Sequence, residues 1–139
     1  MKLNIGRVIK QGPRVFRFVI QDQQGLKHMI DLLNGYVVLQ KTKNKLKMFI
    51  QAYNKLYTSA PLKYIDTEML TVSLENAWLA GFTDGDGCFN VSYVKTKKKF
   101  IIRFLVSQQE DLSFLRDIFQ TGAIEYNKST RNYSFVISD

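Results

Sequence analysis

The feature that most narrows the possible folds is a hairpin that occurs twice, once near each end of the chain. The segment from Gly6-Arg-Val-Ile to Phe18-Val-Ile-Gln-Asp22 matches the segment from Gly122-Ala-Ile-Glu to Phe135-Val-Ile-Ser-Asp139 in hydrophobic pattern, and the last five positions are nearly identical. Both copies open after a glycine and read as two short antiparallel strands. The chain starts and stops at equivalent points of a unit whose period nearly equals its own length. It looks like one repeat, cut and rejoined.

Between the copies the periods change in a definite order. In the first hairpin, Leu3 to Lys10 and Arg14 to Gln21 flank Gln11-Gly12-Pro13, and Val15, Arg17 and Val19 alternate with Phe16, Phe18 and Ile20. From Gln23 the spacing becomes helical: Leu26, Met29, Ile30 and Leu33 share a face, and Asn34-Gly35 supplies a stop. His28 falls on this helix and reads as a surface residue. A second helix carries Leu46, Phe49, Ile50 and Tyr53 on its apolar face. Residues Thr58 to Val72 hold no sustained period and contain Ser59-Ala60-Pro61, so they read as a linker. Ser73 is expected to cap a helix beginning at Leu74, with Glu75 in its first turn. That helix runs into Asp84-Gly85-Asp86-Gly87. Strands from Cys88 to Lys95 and from Lys99 to Ser107, a helix around Asp111 to Phe119 and the hairpin from Ala123 to Ser138 complete an αββαββ order.

The helix before the acidic turn carries the chemistry. Ala77, Ala80 and Gly81 are small, and small side chains at a contact let two helices pack closely. If two such helices pair, their C-terminal ends bring two carboxylates to one point. Both then face the negative end of a helix dipole and each other, which is unfavourable without a cation and suits a hard divalent ion such as Mg2+. Asp86 is the candidate metal ligand; Asp84 is expected to cap or bond backbone at the turn. Taken alone, Asp-Gly-Asp-Gly is an ordinary acidic turn between helix and strand.

The whole run Trp78-Leu79-Ala80-Gly81-Phe82-Thr83-Asp84-Gly85-Asp86-Gly87-Cys88-Phe89 resembles the defining motif of the LAGLIDADG homing endonucleases, and Phe104-Leu-Val-Ser-Gln-Gln109 follows at similar spacing. The resemblance implies an α+β fold built on αββαββα units with an antiparallel sheet, here in partial or permuted order. Residues 1–57 resemble the hairpin and final helices of a unit's C-terminal half, 58–72 the linker, and 73–139 the αββαββ part of a following unit. It further implies that Asp86 binds Mg2+ or another divalent cation, that Gln108 helps order water near the scissile phosphate, and that Lys41, with Lys43 as competitor, matches the family's basic residue. A full enzyme of this type has two acidic helices and this chain has one, so it is either the middle of a longer protein or works with a second copy or complementary fragment.

Alternation along the strands then defines a DNA face. If Phe89, Val91, Tyr93, Phe100, Ile102, Phe104 and Val106 face the helices, Asn90, Ser92, Lys99, Ile101, Arg103 and Leu105 face the other way. Glu125, Asn127, Ser134 and Val136 join them from the last hairpin, and Gln11, Arg17 and Val19 are the equivalents in the first. Arg, Lys, Asn and Gln there suit base edges in the major groove, while Lys95, Lys97 and Lys98 in the turn suit phosphates. A formal net charge of +8 and a pI near 9.6 favour such polyanionic partners. No apolar run is long enough for a bilayer, and a single cysteine, Cys88, gives no internal disulfide. Abundant Lys, Asn, Ile, Tyr and Phe fit an A/T-rich genome, and with the family resemblance this points to a mitochondrion or chloroplast.

Three functions compete at this point. The first is a site-specific double-stranded DNA endonuclease. The second is a non-cutting derivative that binds intron or ribosomal RNA as a maturase or structural protein, and the third is an unrelated basic α+β nucleic-acid-binding module.

Overall fold

In the computed structural model, which describes residues 4–66 and 72–139, the chain divides into two units, Met1–Leu70 and Thr71–Asp139. The first begins with the expected hairpin, β1 (Arg7–Lys10) and β2 (Phe16–Val19), paired from Arg7↔Val19 to Lys10↔Phe16. Asp22 then caps α1 (Gln23–Leu33), its carboxylate accepting from the Gly25 amide at 2.7 Å. Ile30 meets Leu46, Ile50 and Tyr53 of α2 (Gln40–Leu56) in a small apolar core. His28 is half-buried beside Gly6, Asp22 and Gly25, not on an open surface.

Residues 58–66 form neither helix nor strand but are tied back to this unit. Asn54 exchanges two hydrogen bonds of 2.8 Å with the Leu62 backbone, Asn34 bonds Lys63 and Ile65, and Lys43 pairs with Asp66 at 2.9 Å. Leu62 and Tyr64 pack on the core. Of the rest of the stretch read as a linker, residues 67–71 lie outside the described residues.

The second unit contains α3 (Trp78–Asp86), β3 (Gly87–Val94), β4 (Lys99–Gln108), α4 (Ser113–Phe119), β5 (Ala123–Asn127) and β6 (Asn132–Ser138), in the αββαββ order expected. The sheet order is β3-β4-β6-β5, antiparallel throughout. Val106, Leu112, Leu115 and Phe135 are buried at its centre, and Trp78 packs on Phe82 and Phe114 within the same unit.

The helix starts later than Ser73 suggests. The Ser73 hydroxyl accepts from the Glu75 amide and the Asn76 side chain, closing a turn, and the Asn76 side chain in turn accepts from the Trp78 amide at 3.1 Å. Asn76, not Ser73, serves the first helical amide. At the other end, a β-carbon on Gly87 would lie 2.6 Å from the Thr83 carbonyl oxygen, because the strand leaves the helix by folding tightly against its last turn. Gly87→Ala is therefore expected to destabilise the second unit by about 1–3 kcal/mol, read as a lower thermal midpoint.

The sequence repeat is also a repeat in space. The first hairpin pairs Arg7 with Val19 and the last pairs Ala123 with Val136, the equivalent positions. Each opening glycine has positive φ, +67° for Gly6 and +93° for Gly122, and each lies directly under the phenylalanine of its own hairpin, Phe18 or Phe135. The environments differ: Phe135 is fully buried between β4 and α4, whereas Phe18 is 53% exposed.

One expectation about the sheet needs correction. Phe89, Val91, Tyr93, Phe100 and Ile102 do share a face with Phe104 and Val106, as the register and the Phe89–Phe104 and Tyr93–Phe100 ring contacts show. They are not covered by helices, however, and are 50–78% exposed. The α3 and α4 helices are short, and they shield only the half of the sheet around Val106 and Phe135.

Candidate functional site

The site forms where α3 ends and β4 ends. Because β3 leaves Gly87 and β4 returns with Val106 opposite it, Gln108 arrives beside Asp86. Its side-chain amide donates to Asp86 Oδ2 at 2.6 Å. Gln108 lies on the helix-side face of the sheet, two residues beyond Val106, so the pair sits at the edge of the core and opens to solvent. The Asp86 carboxylate stands in the last turn of α3, at the electronegative end of the helix dipole, with no basic residue in that turn.

Asp86 could supply part of a metal site, but not the whole of one. Among the described residues no three His, Cys, Asp or Glu side chains gather, so the chain offers one carboxylate with an oriented amide beside it. Mg2+ is commonly held through one or two carboxylates together with phosphate oxygens of a substrate, and the Asp86 end fits that donor set. Asp84 is exposed and makes no backbone bond at the turn, against expectation. Ala77, Ala80, Gly81 and Gly85 are exposed as well, and nothing lies within 4 Å of a β-carbon built on Gly81 or Gly85, so among the described residues the small-residue side of α3 is uncovered. Lys41 stands in the first turn of α2, in the other unit, and Lys43 is engaged by Asp66.

The opposite face of the sheet is polar and ordered in rows across the strands. Asn90, Arg103 and Ser138 are cross-strand neighbours. Cys88, Leu105, Val136 and Ala123 form an apolar row beside them. Ser107, Ser134 and Glu125 form the next, with the two serine hydroxyls 2.7 Å apart. Ser92 and Lys99 lie on the same face. Lys95, Lys97 and Lys98 are exposed in the β3–β4 turn, where Lys98 adopts φ 48°. Asn127 is engaged locally, since its side-chain oxygen accepts from Ser129 and Thr130 and holds the β5–β6 turn. Gln11 and Arg17 are exposed in the first hairpin. Ser107 is a member of this face that the sequence reading does not single out, although alternation from Arg103 through Leu105 leads to it.

A family model described as LAGLIDADG endonuclease matches residues 79–139. That match spans most of the second unit and makes it similar to the LAGLIDADG endonucleases. The match weighs against the reading of the chain as an unrelated basic module.

The wider likeness extends beyond the LAGLIDADG unit. Relatives include the probable intron-encoded endonuclease 4 of Neurospora crassa, 29% identical over 86% of this chain, and the intron-encoded DNA endonuclease ai2b of Dictyostelium discoideum, 29% identical over 75%. The intron-encoded RNA maturase bI4 of Saccharomyces cerevisiae is 24% identical over 90%. The chain spans only 23%, 37% and 18% of these proteins. In fold it is similar to the LAGLIDADG meganuclease I-AabMI bound to uncleaved DNA, with a TM-score of 0.75 at 19% identity. That likeness covers 97% of this chain and 61% of the meganuclease. A double mutant of I-SmaMI gives 0.76 at 17% identity, covering 97% of this chain and 60% of that one. The α+β antiparallel architecture is thus that of LAGLIDADG meganucleases.

Within the LAGLIDADG unit, Gln108 holds one Asp86 oxygen and leaves the other to ligands. Gln108→Ala removes the amide that orients this carboxylate, and any divalent cation held at Asp86 is expected to bind about 10–100-fold more weakly, read by Mg2+ titration.

Proposed function

We propose that this chain is part of a site-specific double-stranded DNA endonuclease that hydrolyses phosphodiester bonds with Mg2+ or another divalent cation. The observation that carries the reading is the Asp86 carboxylate, fixed by Gln108 at 2.6 Å at the end of α3, on a unit whose opposite face is a polar, lysine-flanked sheet. Two of the relatives bear endonuclease names, and I-AabMI was solved bound to DNA. Asp86 would hold the cation, which when bound would activate water and stabilise the leaving oxygen. Gln108 would orient the carboxylate and donate to water beside the phosphate. The lysines of the β3–β4 turn, with Lys99, would contact phosphates, and Asn90, Ser92, Arg103, Glu125 and Ser134 base edges.

A second acidic helix comes from elsewhere, either a second copy or another segment of polypeptide. Two features support this. Among the described residues the small-residue side of α3 is bare, and β2, the equivalent of β6, has no counterpart of β4 beside it. Lys41 is retained as the candidate basic residue of that complementary site. The intron-encoded relatives, one of them from a cox1 intron, support a mitochondrial setting.

An RNA maturase role is the second reading, and the bI4 relative favours it. A library of randomised duplexes incubated with the chain and Mg2+ decides between them: site-specific cleavage supports the endonuclease, whereas tight binding of intron RNA with no cleavage of any duplex supports the maturase.

A further inference from the structure

We infer that the cleft on the open face of the sheet reads a guanine and a cytosine, through Arg103 and Glu125 respectively. This rests on the DNA-binding reading above and extends it to particular bases. The cleft, about 230 Å3, is lined by Arg103, Leu105, Glu125, Ser134, Val136 and Ser138. Arg103 rises from β4, a central strand with neighbours on both sides, and Glu125 from β5 at the sheet's edge, with β6 between them. Neither takes part in an ion pair among the described residues, so both heads are available to a ligand.

The carboxylate decides what that ligand is. An arginine alone would suit a phosphate as well as a base. A glutamate in the same cleft repels phosphate oxygens, and it accepts a hydrogen bond from the one major-groove donor of cytosine, the N4 amino group. Arginine presents two parallel donors that match guanine O6 and N7. Between the two charged heads lie Leu105 and Val136, an apolar floor that can take the methyl group of a thymine but offers nothing to a phosphate. The phosphate contacts fall instead to Lys95, Lys97 and Lys98, which stand at the turn, away from any carboxylate of the cleft.

The test is affinity selection of a randomised duplex library by the full chain in EDTA, followed by sequencing, for wild type, Arg103→Ala, Arg103→Gln and Glu125→Ala. Wild type is expected to enrich a guanine and a nearby cytosine. Arg103→Ala should flatten the guanine position alone, by roughly tenfold or more, and Arg103→Gln should move it to adenine, which a glutamine side chain matches. Glu125→Ala should flatten the cytosine position alone. If Arg103→Ala weakens all sequences equally, with a shallower salt dependence, Arg103 holds a phosphate and the inference is overturned while DNA binding stands. If wild type enriches sequences whose preferences none of the variants changes, the inference also fails alone. If wild type binds no duplex, the function proposed above fails and this inference with it.

Discussion

Asp86→Asn is expected to abolish metal-dependent cleavage while leaving the fold and duplex binding intact. The substitution keeps the shape of the side chain and an oxygen that can still accept from the Gln108 amide now 2.6 Å away, so the local geometry survives and only the charge is lost. A cation at a transferring phosphoryl group contributes several kcal/mol, and each 1.36 kcal/mol is tenfold in rate, so the fall should be about 1,000-fold or more. Stability should move the other way. The carboxylate faces the electronegative end of α3 with no basic residue in the last turn, and removing it relieves roughly 0.3–1 kcal/mol of unfavourable interaction. A variant with a higher melting temperature, unchanged gel-shift affinity and no cleavage is the expected combination. Cleavage at the wild-type rate by Asp86→Asn would remove Asp86 from the chemistry.

The second large effect is on folding. Gly122→Ala is expected to destabilise the second unit by about 2–5 kcal/mol, combining left-handed backbone strain with overpacking. Gly122 has φ +93°, and an added β-carbon would lie 2.5 Å from Phe135 Cε2 and 2.8 Å from Cζ. Phe135 has no accessible surface and stacks on Phe119, so the ring has nowhere to retreat. For a unit of this size each kcal/mol shifts the melting temperature by roughly 4–8 °C, so the loss should be about 8 °C or more. Gly12→Ala is the matched control, because nothing lies within 4 Å of its added carbon. The same change at Gly6 should also be costly: Phe18 is half-exposed and can swing away, but the added carbon would still lie 2.7 Å from the Val19 carbonyl oxygen. Equal melting temperatures for Gly122→Ala and Gly12→Ala would contradict the packing described for the second hairpin.

Much of this fold is legible in the residues because it depends on local period. The hairpins, α1, α2 and the order of the second unit follow from apolar spacing. The meeting of Asp86 with Gln108 follows from pairing alone once β3 and β4 are taken as a hairpin, since the returning strand must bring its end back to the start of the other. The start of α3 is not legible in the same way. Ser73 and Asn76 are both good caps only three residues apart, and Leu74 is 59% exposed, so no burial favours the earlier turn. The faces of the sheet can be assigned by alternation, but whether Phe89 or Val91 is covered depends on how far α3 and α4 reach, which no nearby residue records. Asn127 shows the same limit: its position on the strand places it on the polar face of the sheet, and only the turn geometry shows that its oxygen is already used.

The bare apolar side of β3 and β4 bears on how such a molecule behaves in a tube. One surface of the sheet is polar and flanked by lysines, and the reverse carries Phe89, Val91, Tyr93, Phe100 and Ile102 open to water. Raising the ionic strength loosens adhering nucleic acid by weakening its grip on the cationic side. The same change screens the mutual repulsion of +8 molecules, and sulfate in particular drives greasy surfaces together. The two sides of one sheet therefore pull solubility in opposite directions, and it is expected to peak at an intermediate salt concentration.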